Sequence, residues 1–217
     1  MRRPVVSCLL VVVGLATVPT VDAQETPALY AHVGAGVGVG LLNSSEITDV
    51  AAADYGIGLG GSYSLLGRVG FRQVVQAEFR WGTESHPFRL VGLVSGGTQP
   101  FGILDELEMD YDFTEWTGKL NPFFSNPRRF SPFVVVGRSK ADFLNSDGEG
   151  FEGTGTIVGV EFIGITRALS ITLGFKRHAM TFTAVTPEIY GATLDPTAEF
   201  SGANWILDAT FAFGVGM

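Results

Sequence analysis

The feature that most constrains this chain is an alternation of apolar with small or polar residues, sustained over runs longer than ordinary strands. From Tyr30 to Leu42, Ala31, Val33, Ala35, Val37, Val39 and Leu41 fall on one face, and His32, Gly34, Gly36, Gly38 and Gly40 on the other. A period of two belongs to extended chain with two unlike faces. The pattern recurs in eight runs: Tyr30 to Leu42, Asp54 to Leu66, Val69 to Trp81, Leu104 to about Leu120, Phe133 to Phe143, Thr154 to Ile163, Ala168 to Thr183, and Trp205 to the end. Typical strands have ~5–6 residues. Most of these runs have ~10–13, enough to cross a bilayer at a tilt.

The two faces differ in charge. The apolar faces are nearly free of it, whereas the opposite faces carry Arg72, Glu78, Arg80, Glu106, Glu108, Asp110 and Asp112. Further along, the same faces carry Arg138, Lys140, Asp142, Glu161, Lys176, His178 and Asp208. A secreted β-sandwich would bury the apolar faces, and a membrane barrel would turn them to lipid. Connection lengths separate the two. Leu66-Gly67-Arg68, Ser125 to Ser131 and Gly164 to Arg167 are short; Asn43 to Ala53, Gly82 to Ile103, Leu144 to Gly153 and Ala184 to Ala203 are long. Short turns at one end and long loops at the other are the outer-membrane barrel pattern. Termini on the short-turn side require an even strand number, so Phe88 to Val94 is assigned to the second external loop or to a strand extension. The expected fold is all-β, an eight-stranded antiparallel transmembrane β-barrel, with ten strands as the alternative. Tyr30, Tyr55, Trp81, Trp116, Phe133 and Trp205, near strand ends, resemble interfacial girdles.

Composition agrees. No run approaches the ~20 apolar residues of a spanning helix, although mean hydropathy is positive at +0.28. Residues 1–23 read as an export signal: Arg2 and Arg3, an apolar stretch from Val5 to Val13, and small residues at the cleavage-determining positions of Val21-Asp22-Ala23. Residues 24–217 then form one domain. Without Arg2, Arg3 and Asp22, 12 basic residues face 21 acidic ones, which argues against a nucleic-acid partner. The single cysteine, Cys8, leaves with the signal, so disulfides and thiolate chemistry are not expected.

The layout resembles the small eight-stranded outer-membrane barrels, similar to the transmembrane domain of OmpA and its relatives. The residues that carry this are the signal, the glycine-alternating strand Gly34 to Gly40, Asn121-Pro122 and Ser131-Pro132-Phe133 around one turn, and the closing Ala209-Thr210-Phe211-Ala212-Phe213. The resemblance implies an outer-membrane location, outer-membrane lipid as surroundings, and recognition of the C-terminal strand by the barrel-insertion machinery. Where these families end on an aromatic, this chain ends Gly214-Val215-Gly216-Met217, which leaves Phe211 and Phe213 for that role. It implies no cofactor.

Eight strands leave an interior just wide enough for side chains. The acidic ladder Glu106, Glu108, Asp110 and Asp112 is expected to pair across the lumen with Arg72 and Arg80 on one side and Arg138 and Lys140 on the other, because an unpaired charge there costs several kcal/mol. A cation path along the same carboxylates is the competing reading. Phe175-Lys176-Arg177-His178 resembles the strand of lipid A deacylases in which an arginine precedes a catalytic histidine, but the nucleophilic serine position is Met180. Gly56-x-Gly58-x-x-Gly61 lacks the helix that a dinucleotide fingerprint needs. Asn145-x-Asp147-x-Glu149-Gly150 lacks the bidentate glutamate of a calcium loop, and reads as a plain turn. The expected role is non-enzymatic, structural or adhesive, with partner-facing external loops and no catalytic, metal or cofactor site. The alternatives are a small channel or apolar-ligand carrier, and a degenerate lipid A deacylase-like barrel.

Overall fold

In the computed structural model, the described residues are 27–43, 54–57, 59–91, 103–123, 130–186, 188–189, 192–193, 197 and 199–217. The expected export signal lies outside them. Eight long strands are β1 (Leu29–Asn43), β3 (Leu59–Phe71), β4 (Val75–Val91), β5 (Ile103–Leu120), β6 (Ser131–Leu144), β7 (Gly150–Ile165), β8 (Leu169–Ala184) and β11 (Glu199–Gly216). A short β2 (Asp54–Ile57) pairs with the upper end of β4, and β9 (Glu188–Ile189) and β10 (Ala192–Thr193) form a small hairpin. Each long strand pairs antiparallel with its neighbours in sequence, and β11 pairs with β1, so the sheet closes on itself. At the seam, Leu29 and Met217 exchange backbone hydrogen bonds of 3.1 and 2.8 Å. Closure satisfies every ladder without an edge, which lipid requires.

The register sets the tilt. A cross-strand row leaving β3 at Val69 runs through Ala77, Gly118, Val136, Val158, Arg177, Trp205 and Leu41, and returns to β3 at Leu59. From 69 to 59 the row has slipped ten residues. With ~3.3 Å per residue and ~4.8 Å between strands, that slip corresponds to a tilt of roughly 40°.

Every wall residue of the row except Arg177 is apolar. Val33, Tyr63, Leu65, Trp81, Val136, Phe162, Phe175 and Leu207 all point out and are exposed. The polar faces of β1, β3, β4, β7, β8 and β11 point into the barrel.

Expectations about the connections and about two strand faces are corrected. The connection placed at Leu66-Gly67-Arg68 is mid-strand; the turn falls at 72–74, where Arg72 has φ of 49° and its amide donates to the Ala28 carbonyl. Arg72 is therefore an exposed turn residue and not a lumen group. Its neighbour Gly67 was misleading because glycine punctuates turns but also occurs within barrel strands. The stretch Leu144 to Gly153 is also no long loop. It closes through Asn145, whose Oδ1 accepts from the amides of Asp147 and Glu149 at 2.9 and 2.8 Å, with Gly148 at φ 77°. Two other long connections are shortened: residues 82–91 continue β4, and 199–203 belong to β11, with β9 and β10 between β8 and β11. Residues 44–53, 92–102 and 124–129 lie outside the described residues.

The faces of β5 and β6 are corrected as well. Asp110, Asp112, Arg138 and Lys140 point outward and are exposed, and Asp142 is half-exposed, while Met109, Tyr111, Phe113, Phe133, Val135 and Phe143 fill the interior. The physical reason is that these strands outrun the apolar wall. Beyond the lipid an outward charge meets water at no cost. Met109, Tyr111, Phe113 and Phe143 pack the barrel's mouth, while Phe133 and Val135 fill the short-turn end behind the outward Val134 and Val136. Glu106 and Glu108 lie on β5, but their side chains are outside the described ones.

Candidate functional site

The lumen holds a closed ionic network built from six strands. β3 supplies Arg68, β4 supplies Glu78 and Arg80, and β5 supplies Glu115 and Lys119. Glu161 comes from β7, Lys176 and His178 from β8, and Asp208 from β11. All are buried. Alternation alone puts them there: on each strand they occupy the parity opposite to the exposed apolar residues.

Glu78 is the hub at the short-turn side. Arg68 donates to its Oε2 from Nε and Nη2 at 2.8 and 2.6 Å, Arg80 Nη2 donates to Oε1 at 3.0 Å, and Lys119 Nζ lies 2.8 Å from Oε2. Lys119 also donates to Glu161 at 2.6 Å. Arg80 continues the chain of pairs to Asp208. Lys176 Nζ donates to Glu115 at 2.7 Å and lies 3.5 Å from Asp208. The remaining Arg68 nitrogen donates to Ser170 and Thr172 at 3.2 and 3.0 Å. Four cations, Arg68, Arg80, Lys119 and Lys176, thus face four carboxylates, Glu78, Glu115, Glu161 and Asp208. Buried charges are tolerated when paired and hydrogen-bonded in this way.

Glycines make the room. A Cβ on Gly174 would strike the Asp208 carboxylate, and one on Gly40 would strike the Glu84 carboxylate. The glycine-alternating face of β1 therefore turns inward, where eight strands enclose too little space for side chains on all of them.

Toward the loop end, His178 Nε2 lies 3.2 Å from Glu115 Oε1, and its Nδ1 lies 3.4 Å from the Tyr111 hydroxyl. Above it, Glu84 Oε2 accepts from Asn204 Nδ2 at 2.6 Å and lies 3.0 Å from His86 Nε2. Met109, Phe143, Phe151 and Phe182 are buried around this layer. At the short-turn end, Tyr30, Phe133, Ile163 and Ile165 form a buried apolar cluster. Ser131 and Asn121 tie that end by bonds to Gln73 at 2.9 and 2.7 Å.

Of the fourteen charges expected in the lumen, the structure places Glu78, Arg80, Glu161, Lys176, His178 and Asp208 there. It puts Arg72, Asp110, Asp112, Arg138, Lys140 and Asp142 on the outside. Sequence reasoning missed Arg68, Lys119, Glu115, Glu84 and His86. Arg68 was read as turn. Glu115 and Lys119 alternate with Trp116 and Leu120, and counting parity from that apolar pair would have found them. His178 does not sit beside a serine: its contacts are a carboxylate and a phenol, and Met180, two residues on, is buried inside the barrel. The described residues contain no cluster of three or more histidine, cysteine, aspartate or glutamate side chains that could hold a metal.

No family model matches the chain, and no curated protein matches it. Solved structures do. The outer membrane protein OprG from Pseudomonas aeruginosa superposes with a TM-score of 0.56 at 11% identity, covering 90% of this chain and 100% of that one. AlkL, solved in lipid bilayers, gives 0.48 at 14% identity, covering 93% and 96%. Ail of Yersinia pestis gives 0.43 at 13% identity, covering 88% and 100%. The fold is that of the small outer-membrane barrels. With the apolar wall turned outward and the charges enclosed, the chain is an outer-membrane barrel.

Proposed function

We propose that this is a non-enzymatic barrel, akin to the OmpA transmembrane domain, whose lumen is a structural plug and whose work is done at its outer surface, in a structural or adhesive role. The observation that carries the reading is the buried four-against-four ionic network, capped by apolar side chains at both ends. Such a network fixes strand positions from inside and leaves the loop end free to meet partners. Export through residues 1–23 and insertion through β11 with Phe211 and Phe213 belong to the same reading.

Heat-modifiability on gels comes first, because a folded barrel resists detergent and changes mobility only on boiling. Planar-bilayer recording of the folded protein then tests the plug. The expected result is no discrete conductance. Stepwise currents that vary with substitution of Arg80 or Glu115 would replace the plug with a channel. Lipid A mass spectra from a deletion strain are expected to match wild type, since His178 is enclosed in the lumen and contacts Glu115 and Tyr111. A changed acylation pattern would revive the deacylase reading.

A further inference from the structure

The outer wall over β5–β8 changes chemistry in ordered tiers. The row Gly118, Val136, Val158, Arg177 and Trp205 is the last with a valine on β6 or β7. Two residues further, Trp116 pairs with Arg138 and Arg138 with Thr156. Two more bring Thr114, Lys140 and Thr154, and the next tier is Asp112, Asp142 and Glu152. Given the tilt, Trp81, Trp116, Arg138, Arg177, Trp205 and Lys140 fall within roughly 8 Å along the barrel axis, with the carboxylates above them. Arg138, Lys140 and Arg177 are the only outward cations on the upper wall among the residues with described side chains; Arg72 and Arg167 belong to the short-turn end. The Arg177 guanidinium lies 5.5 Å from the Trp205 ring centre, and Lys140 has only a 3.9 Å contact to Glu152, with Lys140 and Glu152 each more than half exposed.

Directly beside Arg177, the wall carries an apolar groove of about 440 Å³ lined by Val39, Leu41, Leu59, Phe175, Trp205 and Leu207. Its Phe175 and Trp205 rings stack at 5.4 Å. The Phe175 and Leu207 part of this groove lies on the short-turn side of Arg177, so an acyl chain seated there runs beneath the cation, which matches one occupant. We propose that this wall binds a phosphorylated glycolipid of the outer leaflet. An acyl chain lies in the groove, phosphates sit against Arg177 and Arg138, and sugar hydroxyls donate to the carboxylates of Asp112, Asp142 and Glu152. Guanidinium forks suit phosphate oxygens. The acidic tier selects the sugar: it repels an anion placed any higher and accepts hydrogen bonds that a simple phospholipid headgroup supplies poorly. Arg177 and Arg138 are two strands apart, about 10 Å at ~4.8 Å per strand, so a headgroup with two phosphates is favoured.

The test uses the folded protein extracted from outer membranes and delipidated in zwitterionic detergent, titrated by native mass spectrometry. The probes are bisphosphorylated lipid A, dephosphorylated lipid A and phosphatidylglycerol. Bisphosphorylated lipid A is expected to bind about tenfold tighter than either competitor. R138Q/K140Q/R177Q is expected to lose that preference, while R72Q at the opposite end keeps it. All four side chains point outward, and gel mobility checks that each variant is folded. Arg138→Gln alone provides a second, milder variant with a several-fold loss. Unchanged binding by the triple variant, equal loss in R72Q, or phosphatidylglycerol binding as tightly as lipid A would overturn the proposal. None of these outcomes bears on whether the lumen conducts.

Discussion

The Glu78 carboxylate lies within 3.0 Å of Arg68, Arg80 and Lys119 and is enclosed with them, so removing its charge strands Arg68 away from water and takes one of their carboxylates from Arg80 and Lys119. Glu78→Gln keeps the shape and deletes the charge. Breaking a buried pair from one side costs about 3–5 kcal/mol, and that loss is expected in urea unfolding of the barrel in lipid vesicles. Lys140→Gln is the contrast. Its only described ion pair is 3.9 Å long and largely exposed, and surface pairs contribute ~0–1 kcal/mol. A Glu78→Gln barrel as stable as Lys140→Gln would mean that the network is not what holds the strands. The sequence placed Glu78 and Arg80 in the lumen because they alternate with Phe79 and Trp81. It could not show that Arg68 and Lys119 meet at Glu78, since those contacts depend on the registers of β3 and β5 against β4, where Arg68 pairs with Glu78 and Lys119 with Gln76.

Single strands were legible wherever one environment extends along the whole strand. β1, β7, β8 and β11 stay beside lipid for most of their length, and their apolar faces read correctly as the wall. β5 and β6 emerge from it partway, and the rule linking apolar to outward reverses at that height. Ser139 and Lys140 put this to a direct test, being consecutive residues on opposite faces: Ser139 is buried inside, and Lys140 is exposed outside. With cysteine at each position in turn, a membrane-impermeant maleimide applied to intact cells is expected to label Lys140→Cys readily. Ser139→Cys should stay unlabelled until the barrel is unfolded. Labelling in the reverse order would restore the parity first read from the sequence and send Arg138 and Lys140 back into the lumen. The turn at 72–74 escaped notice for a related reason. It contains no glycine or proline, and is held by backbone and Asn121 contacts from separate strands.

At the scale of the whole barrel, the strand number, the closure and the inside-out distribution of charge follow from one constraint: lipid tolerates neither an unpaired backbone edge nor an unpaired charge. The position of the molecule in the membrane should therefore be set by where the outward apolar band begins and ends. β7 crosses that boundary within a few residues. Val160 is exposed between Val134 and Phe175, whereas Thr154, six residues nearer the loops, pairs with Lys140 and Thr181. An outward arginine costs ~2–4 kcal/mol at the bilayer midplane and ~0–1 near the interface. Val160→Arg is accordingly expected to lower both folding yield into phosphatidylcholine vesicles and unfolding free energy by that larger amount, with Thr154→Arg close to wild type. Equal losses at the two positions would place Thr154 within the hydrocarbon. The cationic tier at Arg138 and Arg177 would then lie too deep to reach a headgroup, because both residues sit roughly 7–8 Å closer to the short-turn end than Thr154 does.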